Sequence, residues 1–414
     1  MSESNPLLVG VDVHRRKHVA HLMDQQGNSL SSAIPIENNR PGSEQFAQAL
    51  AEQMRSGNFD RLQLAAEASG WYWWHFFVHL EASPFLQPYK LELYAINPRL
   101  TANFKKTYID MEHTDATDAF VIADRLRMGR DLPAPYKYET TYLPLRFLTR
   151  YRVHLIHQLV REKSYYLACL YLKASEFTQI RPFADVFGKA SRAVIEEFAS
   201  MEAIAAVPLE ELADLIAEKG KNRFADPTHN AQQVQQVAQQ SYCLPIELQA
   251  PLNLILKLSG QRINSLQFAI KRLDLAISEK LNDIQHSIDT IPGIGLVFAA
   301  GIIAEIGDLA RFDFDQAKVA KYAGFKWLRH QSGDFTADHS HLTSTGNRYL
   351  RYFFCEAANS VRMHDAQYKA YYNKKYQEVR QHQHKRATVL TARKLVRLVV
   401  RLLTTNQPYQ PRTA

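Results

Sequence analysis

An aspartate closes the first apolar run of the chain. Residues 7–13, LLVGVDV, have the composition of a buried strand, and Asp12 brings into it a charge that is costly to bury without a partner. A second apolar run, LQLAAEAS at 62–69, likewise ends in an acid, Glu67. A polar stretch, HVAHLMD and residues 25–30 read as a hairpin partner and a turn. Phe46, Leu50 and Met54 have helical spacing, and LELYAINP at 91–98 reads as a third apolar strand stopped by Pro98. Strand and helix patterns alternating in this way predict an α/β layer domain with some parallel strands, placed at 1–135.

At 414 residues the chain is long enough for two or more domains. Apolar residues recur at three and four in 143–172 (Leu148, Leu155, Leu159, Tyr166, Leu170). They do so again in 247–288, through Ile263, Leu266, Ile270, Leu273, Ile277, Leu281 and Ile284. Both stretches predict long amphipathic helices with coiled-coil-like seams, which can pair within one chain or across two. Between them, 176–244 is helical in pattern but interrupted by Pro182, Pro208, Pro227 and the run NAQQVQQVAQQ. It reads as an inserted helical subdomain within a middle segment, 136–289. The last segment, 290–414, carries IPGIG, an Ala-rich helix, a Gly-, Ser- and His-rich loop at 324–346 and then basic helices.

Charge is unevenly distributed. From 341 to the end there are fourteen Lys and Arg against three acids, a net of +11, whereas the preceding residues sum to −3. A basic carboxy-terminal segment fits a polyanion, nucleic acid before an acidic membrane surface, and Lys394 and Arg397 belong to it. The interleaved Tyr349, Tyr352, Tyr368, Tyr371, Tyr372 and Tyr376 suit base or sugar stacking. No apolar run reaches the length of a membrane span, and Met1 to Pro6 lacks the layout of a signal peptide, so a cytoplasmic protein is expected. Cys169, Cys243 and Cys355 are isolated, which argues against a disulfide framework and a cysteine zinc site. The pairs His339/His341 and His382/His384 read as polar surface or phosphate contacts.

Four acids form a constellation. Asp115 and Asp118, in HTDATDAFVIADRL, are three apart in a helical pattern and share one face. With Asp12 and Glu67 they can converge on one or two Mg²⁺ ions, whose preference for hard oxygen ligands suits carboxylates, and a two-metal centre is a common nuclease device. Each acid alone also has a structural role open to it: Asp12 beginning a turn, Glu67 paired with a base, Asp115 capping a helix.

In the order Asp12, Glu67, Asp115, Asp118, the sequence resembles the DEDD tetrad of a RuvC-like, RNase H-fold nuclease domain. The segments PLRFLTRYRVHLIHQLVREK, IPGIGLVFAAGIIAEIGDLARF, YAGFKWLRHQSGDF and TGNRYLRYFFCEAA resemble the remainder of the DEDD insertion-sequence transposases, the bridge-RNA-guided recombinases. The resemblance is dense from 291 to 403 and thin from 176 to 244. It implies that the four acids hold Mg²⁺ and that Ser332, in HQSGDF, attacks DNA and becomes joined to it. It also implies a composite centre built from different protomers, a dimer assembling to a tetramer, and a non-coding guide RNA that pairs with donor and target DNA. The protein would then work beside the nucleoid of a prokaryotic cell. Two features depart from the family: Ser344 stands where a lysine is common, and the chain is longer than typical members, with the excess between the two long helices.

Around Ser332 the residues themselves say less. A serine in a polar loop beside Arg329 and His330 is ordinarily a turn residue, and as a nucleophile it needs an electropositive surround. Arg348 and Arg351, three apart in GNRYLR, read as a bidentate clamp on the scissile phosphate. Gly293 and Gly295 of IPGIG either turn backbone N–H groups toward a phosphate or serve only a tight turn. Two rival readings remain: a metal-dependent, Holliday-junction-type nuclease in which water attacks, and a nucleic-acid-binding scaffold whose catalytic domain is degenerate.

Overall fold

The computed structural model describes residues 5–130, 132–328, 331–332, 335–336, 341–343 and 345–411. The chain divides into two compact units, Met1–Thr140 and Thr141–Ala414.

The first unit is built on a five-stranded sheet. Its elements are β1 (Pro6–Asp12), β2 (Lys17–Met23), β3 (Ser29–Glu37), α1 (Arg40–Ser56), β4 (Arg61–Glu67), α2 (Trp74–Ala82), β5 (Lys90–Ile96), α3 (Pro98–Lys105) and α4 (Asp115–Met128). The strand order is β3-β2-β1-β4-β5, with β1 antiparallel to β2, β2 antiparallel to β3, and β1, β4 and β5 mutually parallel. Alternation along β1 gives the layers. Leu7, Val9 and Val11 pack with Phe46 and Leu50 of α1 and Phe76 and Phe77 of α2, whereas Leu8 meets Ile122, Ala123 and Leu126 of α4 on the other face. One expectation needs correction. The residues after Gly27 do not stop at a turn but run on as β3, an edge strand whose mostly exposed side chains leave no apolar alternation to read. The run at 91–96 is therefore the fifth strand of the sheet and not the third.

In the second unit the two predicted long helices are α5 (Tyr142–Lys173) and, after five short helices, α11 (Ile246–Asn282). The seams close on each other within one chain. Arg152 pairs with Asp274, Glu162 with Arg262 and Ser259, and Lys173 with Asn253, so the partner's number falls as the first rises and the helices are antiparallel. Leu155, Leu266 and Ile270 fill the middle of the seam. The stretch 176–244 forms α6 (Phe177–Ile180), α7 (Lys189–Glu197), α8 (Met201–Ala205), α9 (Leu209–Lys219) and α10 (Pro227–Gln240). These close a separate core over Tyr166 and Leu170 of α5 and Leu256 and Ile263 of α11. A larger core lies at the opposite end of the helix pair. It is made by α12 (Leu296–Ile306), α13 (Gln316–Tyr322), α14 (Arg348–His364), α15 (Ala366–Gln377) and α16 (Gln383–Thr405) against Leu145, Val153, Ile277 and Leu281. The predicted loop at 324–346 contains two short antiparallel pairings, β6 (Trp327–Leu328) with β9 (His341–Leu342) and β7 (Gln331–Ser332) with β8 (Phe335–Thr336).

Candidate functional site

The same alternation that layers the first unit gathers the acids. In β1 the even-numbered residues face α4, so Asp12 at the strand's carboxyl end belongs to that face. In the parallel register Val11 lies beside Ala66 in β4, where Ala65 faces α4 and Leu64 and Ala66 face away. Glu67 therefore shares the face of Ala65, at the carboxyl end of the neighbouring strand. On α4 the sheet-facing stripe of Ala119, Ile122, Ala123 and Leu126 continues toward the amino terminus through Asp115 and Asp118. Gly10 permits the approach of the helix: a Cβ there would overlap the Ala119 carbonyl oxygen and the Ala123 amide nitrogen. Asp115 does not cap α4. Thr114 does, its hydroxyl accepting the Thr117 N–H at 3.2 Å while the Thr117 hydroxyl accepts the Thr114 N–H at 3.0 Å, so both acids lie inside the first turn.

His14, which the sequence reading passed over, sits among the acids. Its Nε2 lies 3.0 Å from Asp12 Oδ2 and 3.4 Å from Asp115 Oδ1. The local signal was present: residues two apart on extended backbone point to one side, and Val13 between them is in the core. Lys105, at the end of α3, pairs with Asp118, and nothing in the local sequence announces that contact. His14 donates its backbone N–H to Nδ1 of His18, whose pKa burial pushes down to about 4.

Burial raises the pKa of Asp12 above the ordinary carboxylate range; His14 opposes this, and the charges of Asp118 and Asp115 add to it. Burial also raises Glu67, with the charges of Asp12 and Asp118 contributing. Asp115 and Asp118 thus act on Asp12, and Asp12 and Asp118 on Glu67, a repulsion that a bound cation would relieve. Asp12, His14 and Asp115 offer three donor atoms within 4.8 Å of one another. Two carboxylates and an imidazole at that spacing fit a divalent cation.

The second unit carries the other predicted residues. Ser332 is in β7, opposite Phe335, a strand position and not the irregular loop expected. Its hydroxyl, together with Arg329, His330, His339 and Ser344, lies outside what the structure describes. Arg351 requires correction. Its guanidinium donates to four backbone carbonyls, of Ala323, Gly324, Thr343 and Thr345, at 2.6–3.3 Å, so it ties α14 to the segment before it and is not free to clamp a phosphate. Arg348 is exposed, resting on its neighbour Tyr349 with 4.9 Å between guanidinium and ring centre. Gly293, at φ +91°, serves packing: a Cβ would lie 2.9 Å from the backbone of Ser360 and Val361. Gly295, the N-cap of α12, faces open space.

The tyrosines also depart from expectation. Tyr368 and Tyr372 are buried, and Tyr349 and Tyr352 pack on the main core. Their cation partners come from the same chain, Lys394 over Tyr368 and Tyr371 and Arg362 over Tyr372. Their spacing reflects helix packing more than base stacking. Arg397 is exposed on α16. His384 bonds the Tyr372 hydroxyl at 2.7 Å.

One buried network went unseen in the sequence. Glu305 of α12, 0% exposed, accepts two bonds from Arg150 of α5, at 2.6 and 2.8 Å, and one from the Asn347 amide at 2.7 Å. Asn347 in turn donates to the Tyr322 hydroxyl and caps α14 by accepting the N–H groups of Tyr349 and Leu350. The network anchors the start of α14, which follows the segment bearing Ser332.

Residues 9–172 match the family model of DEDD transposases of the IS110 type, described as Transposase, and residues 285–373 match the Transposase IS116/IS110/IS902 family. Helices α6–α10 lie between the two matched stretches. A 44.8 kDa protein of insertion element IS116 from Streptomyces clavuligerus is 28% identical over 378 residues, covering 89% of this chain and 87% of that one. A 42 kDa protein of insertion element IS900 from Mycobacterium paratuberculosis is 26% identical over 305 residues, covering 72% of this chain and 73% of that one.

Proposed function

Because the chain belongs to the DEDD insertion-sequence transposase family of the IS110 type, whose activity is the cutting and transfer of DNA, we propose that it excises and inserts its own element as an Mg²⁺-dependent recombinase guided by a non-coding RNA. The observation that carries the proposal is the convergence of Asp12, Glu67, Asp115 and Asp118 at the carboxyl ends of β1 and β4 and the first turn of α4. The strand order, three antiparallel strands followed by two parallel ones, supports an RNase H-like reading of the unit.

In this reading Asp12, Glu67, Asp115 and Asp118 hold Mg²⁺, with His14 beside Asp12 and Asp115. A divalent ion held by these residues would supply Lewis-acid stabilisation of charge on phosphate oxygens. Ser332 is the nucleophile. Its oxygen bonds to phosphorus, the bond from phosphorus to one sugar oxygen breaks, and that oxygen leaves with a proton. A sugar hydroxyl of the strand to be joined then attacks the phosphoserine and releases Ser332, so no bond energy is lost to water. Base pairing by the RNA supplies sequence specificity, leaving the basic carboxy-terminal helices to grip backbones of donor and target DNA. Val160, Phe268 and Leu275, each more than half exposed on α5 and α11, support association of the helix pair with a second copy, as a dimer that assembles to a tetramer.

The test uses purified protein with its flanking DNA and copurified RNA. Ser332→Ala is expected to abolish both strand transfer and a covalent protein–DNA adduct while leaving DNA and RNA binding intact, and Asp12→Asn to abolish cleavage. Cleavage by Ser332→Ala together with a dead Asp12→Asn would replace the proposal with a water-using, junction-selective nuclease.

A further inference from the structure

We infer that the first unit carries a nucleobase-binding cleft at the loops that follow the Asp12 and Glu67 strands, which takes an unpaired base of the DNA strand being processed; the inference rests on the proposed function and names a further contact of the unit that carries the acids. The cleft has a volume of about 730 Å³ and lies between the start of α1, helix α2 and the turn that follows Glu67. A cavity of that size admits a nucleotide.

The chemistry of the walls selects the ligand. After Glu67 the chain runs Ala-Ser-Gly-Trp-Tyr-Trp-Trp, with Gly70 at φ +59° turning the backbone. Trp73 lies edge-on to Phe77 and Tyr136, and Trp74 packs against Tyr138. The first two aromatics of the run line the cleft, with Trp71 47% and Tyr72 48% exposed. Arg40, His75 and His79 supply polar groups along the same walls, and among the described residues the lining includes no carboxylate to repel a phosphate. Flat aromatic faces with a neighbouring guanidinium and two imidazoles match a base and its backbone better than an apolar peptide, which needs no such donors.

Position supports the same ligand. Tyr72 is five residues beyond Glu67. Asn38, another wall residue, donates its side-chain amide to the carbonyls of His14 at 3.1 Å, Arg15 at 3.3 Å and Tyr72 at 3.4 Å. One amide therefore holds the cleft to the loop that follows Asp12. The cleft thus borders the loops that leave the carboxyl ends of β1 and β4, the strand ends that carry Asp12 and Glu67.

The test is binding of the full-length protein to a fluorescent single-stranded DNA, to the matching duplex and to the RNA of the same sequence, followed by photocrosslinking with 5-iodouracil placed along the single strand. Trp71→Ala and Tyr72→Ala are expected to weaken single-stranded DNA binding by about tenfold or more, with duplex affinity and melting temperature unchanged, and the Phe variants to restore it. The crosslink is expected in the peptide that contains residues 71–72. Unchanged single-strand affinity, a crosslink elsewhere or a preference for the RNA strand would overturn the cleft while leaving the recombinase reading in place. A wild-type protein that binds no nucleic acid would defeat both.

Discussion

Gly10 and Ala119 are in backbone contact: helix α4 crosses strand β1 so closely that a methyl group on Gly10 would overlap the Ala119 carbonyl oxygen. This contact sets the height of Asp115 and Asp118 over Asp12. Gly10→Ala must push α4 away, at about 1–3 kcal/mol of stability, and should weaken divalent-cation binding about tenfold or more, as loss of a supporting contact does elsewhere. Chemical denaturation and calorimetric titration with Mn²⁺ measure the two effects. A folded variant with full cation affinity would show that the helix does not position the acids.

The Arg150–Glu305 pair anchors the second unit. Removing Glu305 leaves the partly exposed Arg150 guanidinium and the Asn347 amide without their acceptor, so Glu305→Ala is expected to cost about 1–3 kcal/mol in denaturant unfolding. The double replacement Arg150→Met with Glu305→Met should cost less than Glu305→Ala alone, because no charge is left stranded. Equal losses would mean that packing, and not the ion pair, is what the single substitution removes.

His18 makes the first unit sensitive to acid. Its folded pKa of about 4 lies below the ordinary 6.5, so the unfolded chain binds a proton that the folded one refuses. Its contribution is complete above pH 6.5 and is lost as the pH falls toward 4, by about 3 kcal/mol at most. Asp12 and Glu67, with raised values, act in the opposite sense, so the measurement is a difference. His18→Asn keeps an acceptor for the His14 N–H but cannot titrate, and it should flatten the pH dependence of the tryptophan-monitored transition between pH 6.5 and 4. Trp71, Trp73 and Trp74 of this unit are three of the four tryptophans. Parallel wild-type and variant curves would rule out the histidine.

Arg348 and Arg351 are expected to separate. Arg351→Met leaves four carbonyls without their donor and should lower stability by about 1–3 kcal/mol. Arg348→Ala should leave melting unchanged, weaken DNA binding, and reduce the slope of log affinity against log salt by about one. Melting curves and salt-dependent anisotropy distinguish these outcomes. An Arg351 variant with unchanged stability and a reduced salt slope would restore it as a phosphate contact.

Much of the site was legible because it is written locally. Asp12 and Glu67 stand out as charges at the ends of apolar runs, and Asp115 and Asp118 as a pair on the apolar stripe of a helix; period-2 and period-3.6 patterns need no long-range information. His14 could have been found by the same alternation. Lys105 could not, since it reaches Asp118 only after α3 and α4 have packed. Arg351 misled for the related reason that a cation in a basic segment looks the same in sequence whether it faces a phosphate or four carbonyls of its own chain. The tyrosines of the last segment misled likewise, their helical spacing serving a core.

The sequence by itself determined the strands β1, β4 and β5, the face of α4 that carries its acids, and the approximate extents of α5 and α11, because each depends on neighbours a few residues away. Tertiary structure decided that the seams of α5 and α11 close on each other in one chain, that β1 and β4 lie side by side so that Asp12 and Glu67 share a face, and that Glu305 meets Arg150. The physical reason is that pairing register and burial are settled by contacts between residues far apart in the chain, whose energies no local pattern records.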